Sequence, residues 1–384
     1  MSAADAARAR NSSLVAILAT CAASGIGTGL TLPLLGLILE RRGYPGTVNG
    51  LNLATAGLAA VLVTPHVPRW IQKYGASQYL AFMLAVVAAA FVAIYEAPSL
   101  WFWFPIRFIL SAALNSLFVV SEFWINQLAD ERNRGRMVAL YTTCFSAGFA
   151  VGPVLLGIIG TRGIAPFLAG SGMMLVALVP ILIVRRAAPR VEQPSRQPML
   201  GLIRAAPAAL LAAFVFGSID AGMAGLLPVY GVRSGYSEAA AAMFVTAISV
   251  GGLLFQYPLG YLADHMSRRK LLLICAVSGV LGATLTPFAV HWPAAMYVLL
   301  ALWGGIAMGI YTIGLTLVGE RFKGRELVGA NAANVILYSI GLLIGPAAEG
   351  IALDAWNPHG LLVALGGICA AYVLFLTFGR RAKL

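Results

Sequence analysis

Glu131-Arg132-Asn133-Arg134-Gly135-Arg136 recurs as Glu320-Arg321-Phe322-Lys323-Gly324-Arg325, 189 residues further along a chain of 384 residues. Each copy leads into an apolar stretch with the pattern Gly-x-x-x-Gly-Pro-x-x-x-Gly: Gly148, Gly152-Pro153 and Gly157 in the first, Gly341, Gly345-Pro346 and Gly350 in the second. Nearer the start of each half, Leu32-Pro33-Leu34-Leu35-Gly36 matches Leu227-Pro228-Val229-Tyr230-Gly231. Two hydrophobic halves on one plan are the pattern of a membrane transporter with its pathway between them.

Hydrophobic residues make up 60% of the chain and charged residues 10%, and the mean hydropathy is +0.86. A soluble domain carries about a quarter charged residues. The apolar runs reach the ~20 residues that a helix needs to cross ~30 Å of hydrocarbon. The sequence therefore predicts an all-α polytopic membrane protein. Its twelve spans are expected at 13–39, 47–68, 77–96, 100–127, 136–160, 164–184, 205–231, 237–262, 270–289, 293–319, 326–352 and 358–379. Matching phrases lie six spans apart, an even number, so the two six-helix bundles are parallel, pseudo-symmetric repeats.

The net charge of +12 raises the possibility of nucleic-acid binding. Placement excludes it. With the N-terminus inside, 21 of the 26 Lys and Arg fall on the cytoplasmic side, while Arg41, Arg42, Arg162 and Arg233 fall outside and Arg107 lies within a span. That is the positive-inside pattern, and it predicts cytoplasmic termini in a bacterial inner (plasma) membrane. The basic, Pro-bearing segment 185–204 reads as a cytoplasmic linker between an N-terminal bundle, 1–184, and a C-terminal bundle, 205–384. The apolar run after Arg8 and Arg10 continues to Leu39, too long for a signal-peptide core, and reads as an uncleaved first span.

Cys21, Cys144, Cys275 and Cys369 all fall inside spans, with no metal spacing or disulfide framework, and read as packing residues. Trp101, Trp103, Trp292 and Trp356 at one set of span ends, and Trp70 at the other, read as interfacial anchors. No phosphate loop, zinc motif or nucleophile elbow occurs, so neither an enzyme nor an ATP-driven pump is expected, and no cofactor or metal.

These spans, the basic central loop and the duplicated phrases resemble the major facilitator superfamily over essentially the whole chain. Gly260-Tyr261-Leu262-Ala263-Asp264-His265-Met266-Ser267-Arg268-Arg269-Lys270 is similar to that superfamily's loop signature, Gly-x-x-x-Asp-Arg-x-Gly-Arg-Arg, with His265 and Ser267 as departures. The matching loop after span 2 is degenerate, with Gln72 at the acidic position. The resemblance implies a cytoplasmic gate in which Asp264 faces the N-terminus of span 11 or the cluster Arg321 to Arg325, alongside Arg268, Arg269, Arg132, Arg134 and Arg136. The other reading of the same loop is a topogenic basic segment with no gating role. Gly148-x-x-x-Gly152-Pro153 resembles a span-5 motif of antiporter branches. Its second copy at Gly341, Gly345 and Pro346 equally suits close helix packing, because small residues four apart let backbones approach.

Intramembrane charge is costly unless it faces a cavity or a partner. Arg107, Ser111, Asn115, Glu122 and Asn126 fall within about a 100° sector of span 4, a stripe expected to line the pathway. Arg107 resembles the family's span-4 arginine, with Ser111 in place of the usual glycine. Asp220 lies near the middle of span 7, and the Leu-Pro phrases set Gly25 opposite it in the first half. A carboxylate there can bind and release a proton as the cavity opens to each side, with Arg107 its partner or a contact for a substrate anion. Alternatively, Asp220 and Arg107 form a static ion pair. Glu122, 15 residues from Arg107 and so about 22 Å along the helix, reads as part of a cytoplasmic lattice with Arg132, Arg134 or Arg136. Glu349 and Glu96 read as interfacial.

The function expected is alternating-access transport of a small organic compound, with spans 1, 4, 7 and 10, including Tyr311, lining the way. Proton-coupled export comes first. Proton symport of a small organic solute, anionic or neutral, is the alternative, and a non-transporting sensor or assembly factor a third reading. Partners are the solute, protons and the bilayer, and the chain is expected to act as a monomer.

Overall fold

A computed structural model describes residues 3–128, 134–184 and 199–378. Among the described residues, twelve helices are long and apolar enough to cross a membrane. Span 1 is Arg10–Arg41, span 2 Gly46–Tyr74, span 3 Ala76–Glu96, span 4 Leu100–Leu128, span 5 Arg136–Ile159 and span 6 Ala165–Ile183. Span 7 is Pro207–Gly225, span 8 Glu238–His265, span 9 Arg268–Ala289, span 10 Pro293–Arg321, span 11 Gly329–Ala355 and span 12 Gly360–Phe378. No strand occurs among the described residues. The chain is an integral, all-α membrane protein. Of the expected features, the linker over residues 185–198 and Arg132 lie outside the described residues, as do the side chains of Arg134 and Arg325.

The chain falls into two compact units, Met1–Thr31 with Ala59–Gln193, and Leu32–Leu58 with Pro194–Leu384. Helices in lipid gain little from the hydrophobic effect and pack through close backbone approach instead. In the first unit, Gly25 and Gly29 leave room for the backbone of Phe145 and Phe149 on span 5. Gly148 and Gly152 return the fit against Ala22, Ile26 and Leu30. Tyr141 donates from its hydroxyl to the Phe118 carbonyl at 2.8 Å, and Tyr79 to Ser116 Oγ at 3.1 Å, tying spans 5 and 3 to span 4. Such bonds contribute about 0.6 kcal/mol each in a membrane.

The second unit repeats the device. Gly217 faces the Tyr338 carbonyl, Gly341 faces Phe214 and Ser218, and Gly345 faces Ser218. These contacts change the correspondence between the copies. Gly148 meets Ala22 where Gly341 meets Phe214, and Gly25 meets the Phe145 carbonyl where Gly217 meets that of Tyr338. Gly25 is therefore the counterpart of Gly217, and Thr28 that of Asp220. The Leu-Pro phrases misplace it because span 7 ends at Gly225 and a separate short helix, Leu227–Arg233, carries the second phrase, whereas span 1 runs unbroken to Arg41.

The stretch Leu32–Leu58 of the first repeat belongs to the second unit, where small residues seat it. Gly36 meets the Gly225 carbonyl, Gly50 meets Pro346, and Gly350 meets Gly46. One tryptophan departs from the interfacial expectation. Trp101 is 81% exposed, but Trp103, two residues on and so on the opposite side of the helix, is 1% exposed.

Candidate functional site

Asp220 sits one turn beyond Gly217, on the stretch of span 7 that lies against span 11. The backbone approach at Gly217 and Gly341 brings the Tyr338 side chain alongside, and its hydroxyl donates to Asp220 Oδ2 at 2.8 Å. Phe216, one turn before Asp220 on the same face, packs on Tyr338 with ring centroids 6.1 Å apart and on Tyr311 of span 10 at 5.5 Å. Tyr311 closes the triangle edge-on to Tyr338 at 5.7 Å. Asp220, Tyr311 and Tyr338 are each half-buried. The result is one carboxyl with one hydroxyl donor inside an aromatic box, able to hold a proton and to present a flat apolar surface to a solute. Two of the expected pathway residues, Asp220 and Tyr311, are thus joined through Tyr338 and Phe216, which the sequence analysis did not single out.

Arg107 belongs to the first unit. It is 2% exposed, and its Nε and Nη1 have no hydrogen-bond partner. A buried guanidinium with unmatched donors is a strong attractor for an anion or a carbonyl oxygen. Ser111 and Asn115 are half-buried beyond it on span 4, and Asn115 Nδ2 donates to Thr64 Oγ1 at 2.6 Å. Glu122 is exposed, so the expected stripe passes from a buried end to an open one.

At the end of the bundle carrying Asp264, that carboxylate is 74% exposed and lies 3.9 Å from Arg268 Nη2. Arg268 pairs through Nη1 with Glu320 of the second basic phrase, so the phrase does meet the loop, through its glutamate. Arg269 donates to the Leu376 carbonyl at 2.7 Å, a cation on the C-terminal end of span 12. Arg136 and Arg321 are exposed.

The opposite end of the second unit holds a network that sequence reasoning missed. Arg233 makes a two-pronged bond to Glu40, at 2.8 and 2.9 Å, donates to Asn357 Oδ1 at 3.0 Å, and lies 3.8 Å from Asp354. Asp354 in turn accepts from the Gly46 and Thr47 amides at 2.6 and 2.7 Å, capping the N-terminus of span 2 with a carboxylate from span 11. Arg41 pairs with Glu238 at 2.6 Å. The signal was present: Arg41 and Arg233 are two of the four cations that break the positive-inside pattern, and each carries an acid. Glu349, expected at the interface, is instead wholly buried. It faces Gly222 of span 7, where any Cβ would collide with its carboxyl group.

The family model described as Major Facilitator Superfamily matches residues 17–250 and 235–384. Among curated relatives, the MFS-type transporter YfkF of Bacillus subtilis is 24% identical over 369 residues, covering 93% of each chain. Among solved structures, a mutant of the nucleoside transporter NupG aligns with a TM-score of 0.80 at 14% identity, over 95% of this chain and 98% of that one. A D-xylose-proton symporter aligns with a TM-score of 0.75 at 14% identity, over 97% and 98%. At such identities the likeness to the solved structures is one of fold.

Proposed function

The chain belongs to the Major Facilitator Superfamily, and on that premise we propose that it carries a small organic compound across the membrane by alternating access, driven by protons bound at Asp220. The observation that carries the reading is the Asp220 carboxyl, held by the Tyr338 hydroxyl at 2.8 Å inside a membrane span. A carboxyl in hydrocarbon is expensive to keep and marks ion or substrate chemistry. Phe216, Tyr311 and Tyr338 supply an aromatic wall for the solute, and Arg107 supplies unmatched donors for an acceptor or anionic group on it.

Alternating access is carried by the two bundles, 1–184 and 205–384. Both termini lie in the cytoplasm of a bacterial inner membrane, as the side-by-side bias of Lys and Arg supports. On that orientation Asp264, Arg268, Arg269 and the two basic phrases form the cytoplasmic gate, and the Arg233 network lies outside. The protein works as a monomer.

Proton-coupled export is the direction proposed, resting on the span-5 glycine-proline motif at Gly148, Gly152 and Pro153. The second reading, uptake by symport, is favoured by the unmatched donors of Arg107, which suit an anionic solute, and by the fold shared with a proton symporter. A solute is first found as a compound that raises the thermal stability of the purified protein. In sealed vesicles containing a pH-sensitive dye, export by exchange moves protons against the solute and symport moves them with it. Asp220→Asn is expected to abolish the proton movement. Undiminished proton-driven transport in that variant overturns the reading.

A further inference from the structure

Asp220 is half-buried, and a second acid of the same unit lies deeper. Glu349, in the second glycine-proline motif, is 0% exposed, and neither Oε1 nor Oε2 has a hydrogen-bond partner. From span 7 it is faced by Gly222, whose missing side chain makes the space for the carboxyl. On span 12, Cys369 is near enough to interact with it electrostatically. The outer half of span 2, Gly46 to Val63, has no ionisable residue. Span 10 meets span 11 through Tyr311 on Tyr338, which lies 11 residues and so about 16 Å from Glu349 along the helix. Asp220 is bonded to that same Tyr338. Among the described residues, no cation pairs with Glu349.

The first repeat shows what this position needs when it only packs. The register set by the glycine contacts matches Gly222 with Leu30 and Glu349 with Leu156, and both leucines are 0% exposed. The second repeat has removed one leucine and put an acid in place of the other. That exchange gains no hydrogen bond. An ionised carboxylate so placed costs several kcal/mol with nothing to offset it, so the group is neutral in this conformation.

Its position says when the charge can return. Gly350, the next residue, meets Gly46 and lies against Gly50 of span 2, and Asp354, one turn on, caps that span. The docked N-terminal half of span 2 therefore covers Glu349 from the Asp354 end. We propose that Glu349 is a second proton-binding site, occupied while span 2 is docked on span 11, and that it loses its proton to water when this end opens. The proposal rests on the alternating-access reading and is independent of the role given to Asp220.

The test uses the full chain in lipid vesicles, with two readouts. Infrared titration at neutral pH is expected to show a protonated-carboxyl band that Glu349→Gln removes and Asp220→Asn retains. Opening is read by a membrane-impermeant maleimide on Leu53→Cys, a position on span 2 that is 2% exposed and packs against Gly225. Labelling, divided at each pH by the rate of a soluble cysteine reference so that ionisation of the thiol itself cancels, is expected to rise with pH, approaching tenfold per unit for one proton, and the corrected rate to become flat in Glu349→Gln. That variant keeps shape and neutrality, so it folds. Infrared spectra that are the same with and without Glu349→Gln overturn the proposal, as does an unchanged pH dependence of labelling. Loss of the band on adding sodium in place of choline also overturns it, by making the site one for a metal cation. If only the Asp220→Asn transport result fails, the coupling role of Asp220 falls and this proposal stands.

Discussion

Replacing Arg233 by glutamine removes the cation at the centre of the network that docks Leu32–Leu58 onto the rest of the second unit. The side chains of Arg233 and Glu40 are 14% and 19% exposed, so the pair is neither at the surface nor dry. Breaking a buried pair costs about 3–5 kcal/mol, and a fully exposed one contributes about 0–1 kcal/mol. With two well-formed charged hydrogen bonds and this exposure, the discounted figure is about 2 kcal/mol. Arg41 meets Glu238 through Nη1 and Oε2 at 29% and 21% exposure, and about 0.5–1 kcal/mol is the appropriate figure for that pair.

These magnitudes become labelling rates. If the docked state dominates, the rate at Leu53→Cys follows the open fraction, so Arg233→Gln should raise it about 30-fold and Arg41→Gln about two- to fivefold. Of the four native thiols Cys21, Cys275 and Cys369 are buried, and the half-buried Cys144 is replaced by serine in the background chain. A rise below about threefold for Arg233→Gln refutes the reasoning, because it puts the pair in the class of exposed contacts. Equal rises for the two variants refute it as well, by showing that burial and geometry do not rank the pairs.

Gly217→Val places side-chain atoms on the Tyr338 backbone and should lower stability by about 1–3 kcal/mol, seen as a fall in Tm; Gly172→Ala, which points into open space, should leave Tm unchanged. Arg107→Met should keep or raise the Tm of the solute-free protein, since it removes unmatched buried donors, while transport is lost; a destabilised variant would mean that Arg107 has a structural partner. Asp354→Ala leaves the Gly46 and Thr47 amides uncapped and should cost about 1 kcal/mol, read as about a fivefold rise in Leu53→Cys labelling.

The spans were legible because lipid imposes a length and a composition that nothing else in a chain imitates. The packing was legible too, since glycines spaced four apart have few other uses within a membrane helix. The partners were not. Tyr338 is 118 residues from Asp220, Glu40 193 from Arg233, and Gly46 308 from Asp354. No local pattern joins residues at such separations. Arg107 was found as a charge in a span, but its two unmatched donors are a property of its surroundings. Glu349 was misread because its place near a span end is ambiguous in one dimension: whether a side chain there meets headgroups or a neighbouring helix depends on Gly222, on a different span.

The duplication carries more information at its mismatches than at its matches, and the structure moves those mismatches. By the Leu-Pro phrases Asp220 replaces a glycine; by helix contacts it replaces Thr28, whose hydroxyl bonds back to the Ser24 carbonyl at 2.9 Å. The corresponding aromatic is Phe145 in one unit and Tyr338 in the other. An acid and the hydroxyl that holds it therefore occur together in one repeat and are both missing from the other, on two helices, at positions the fold brings into contact. Gly222 and Glu349 repeat the relation against Leu30 and Leu156. Selection for packing alone removes such pairs, since leucine fills each site without a charge to neutralise. Both occur in one repeat, a turn or less apart on span 7, and their partners lie on a single opposing helix. Sliding or tilting of span 11 against span 7 therefore changes the surroundings of both acids at once.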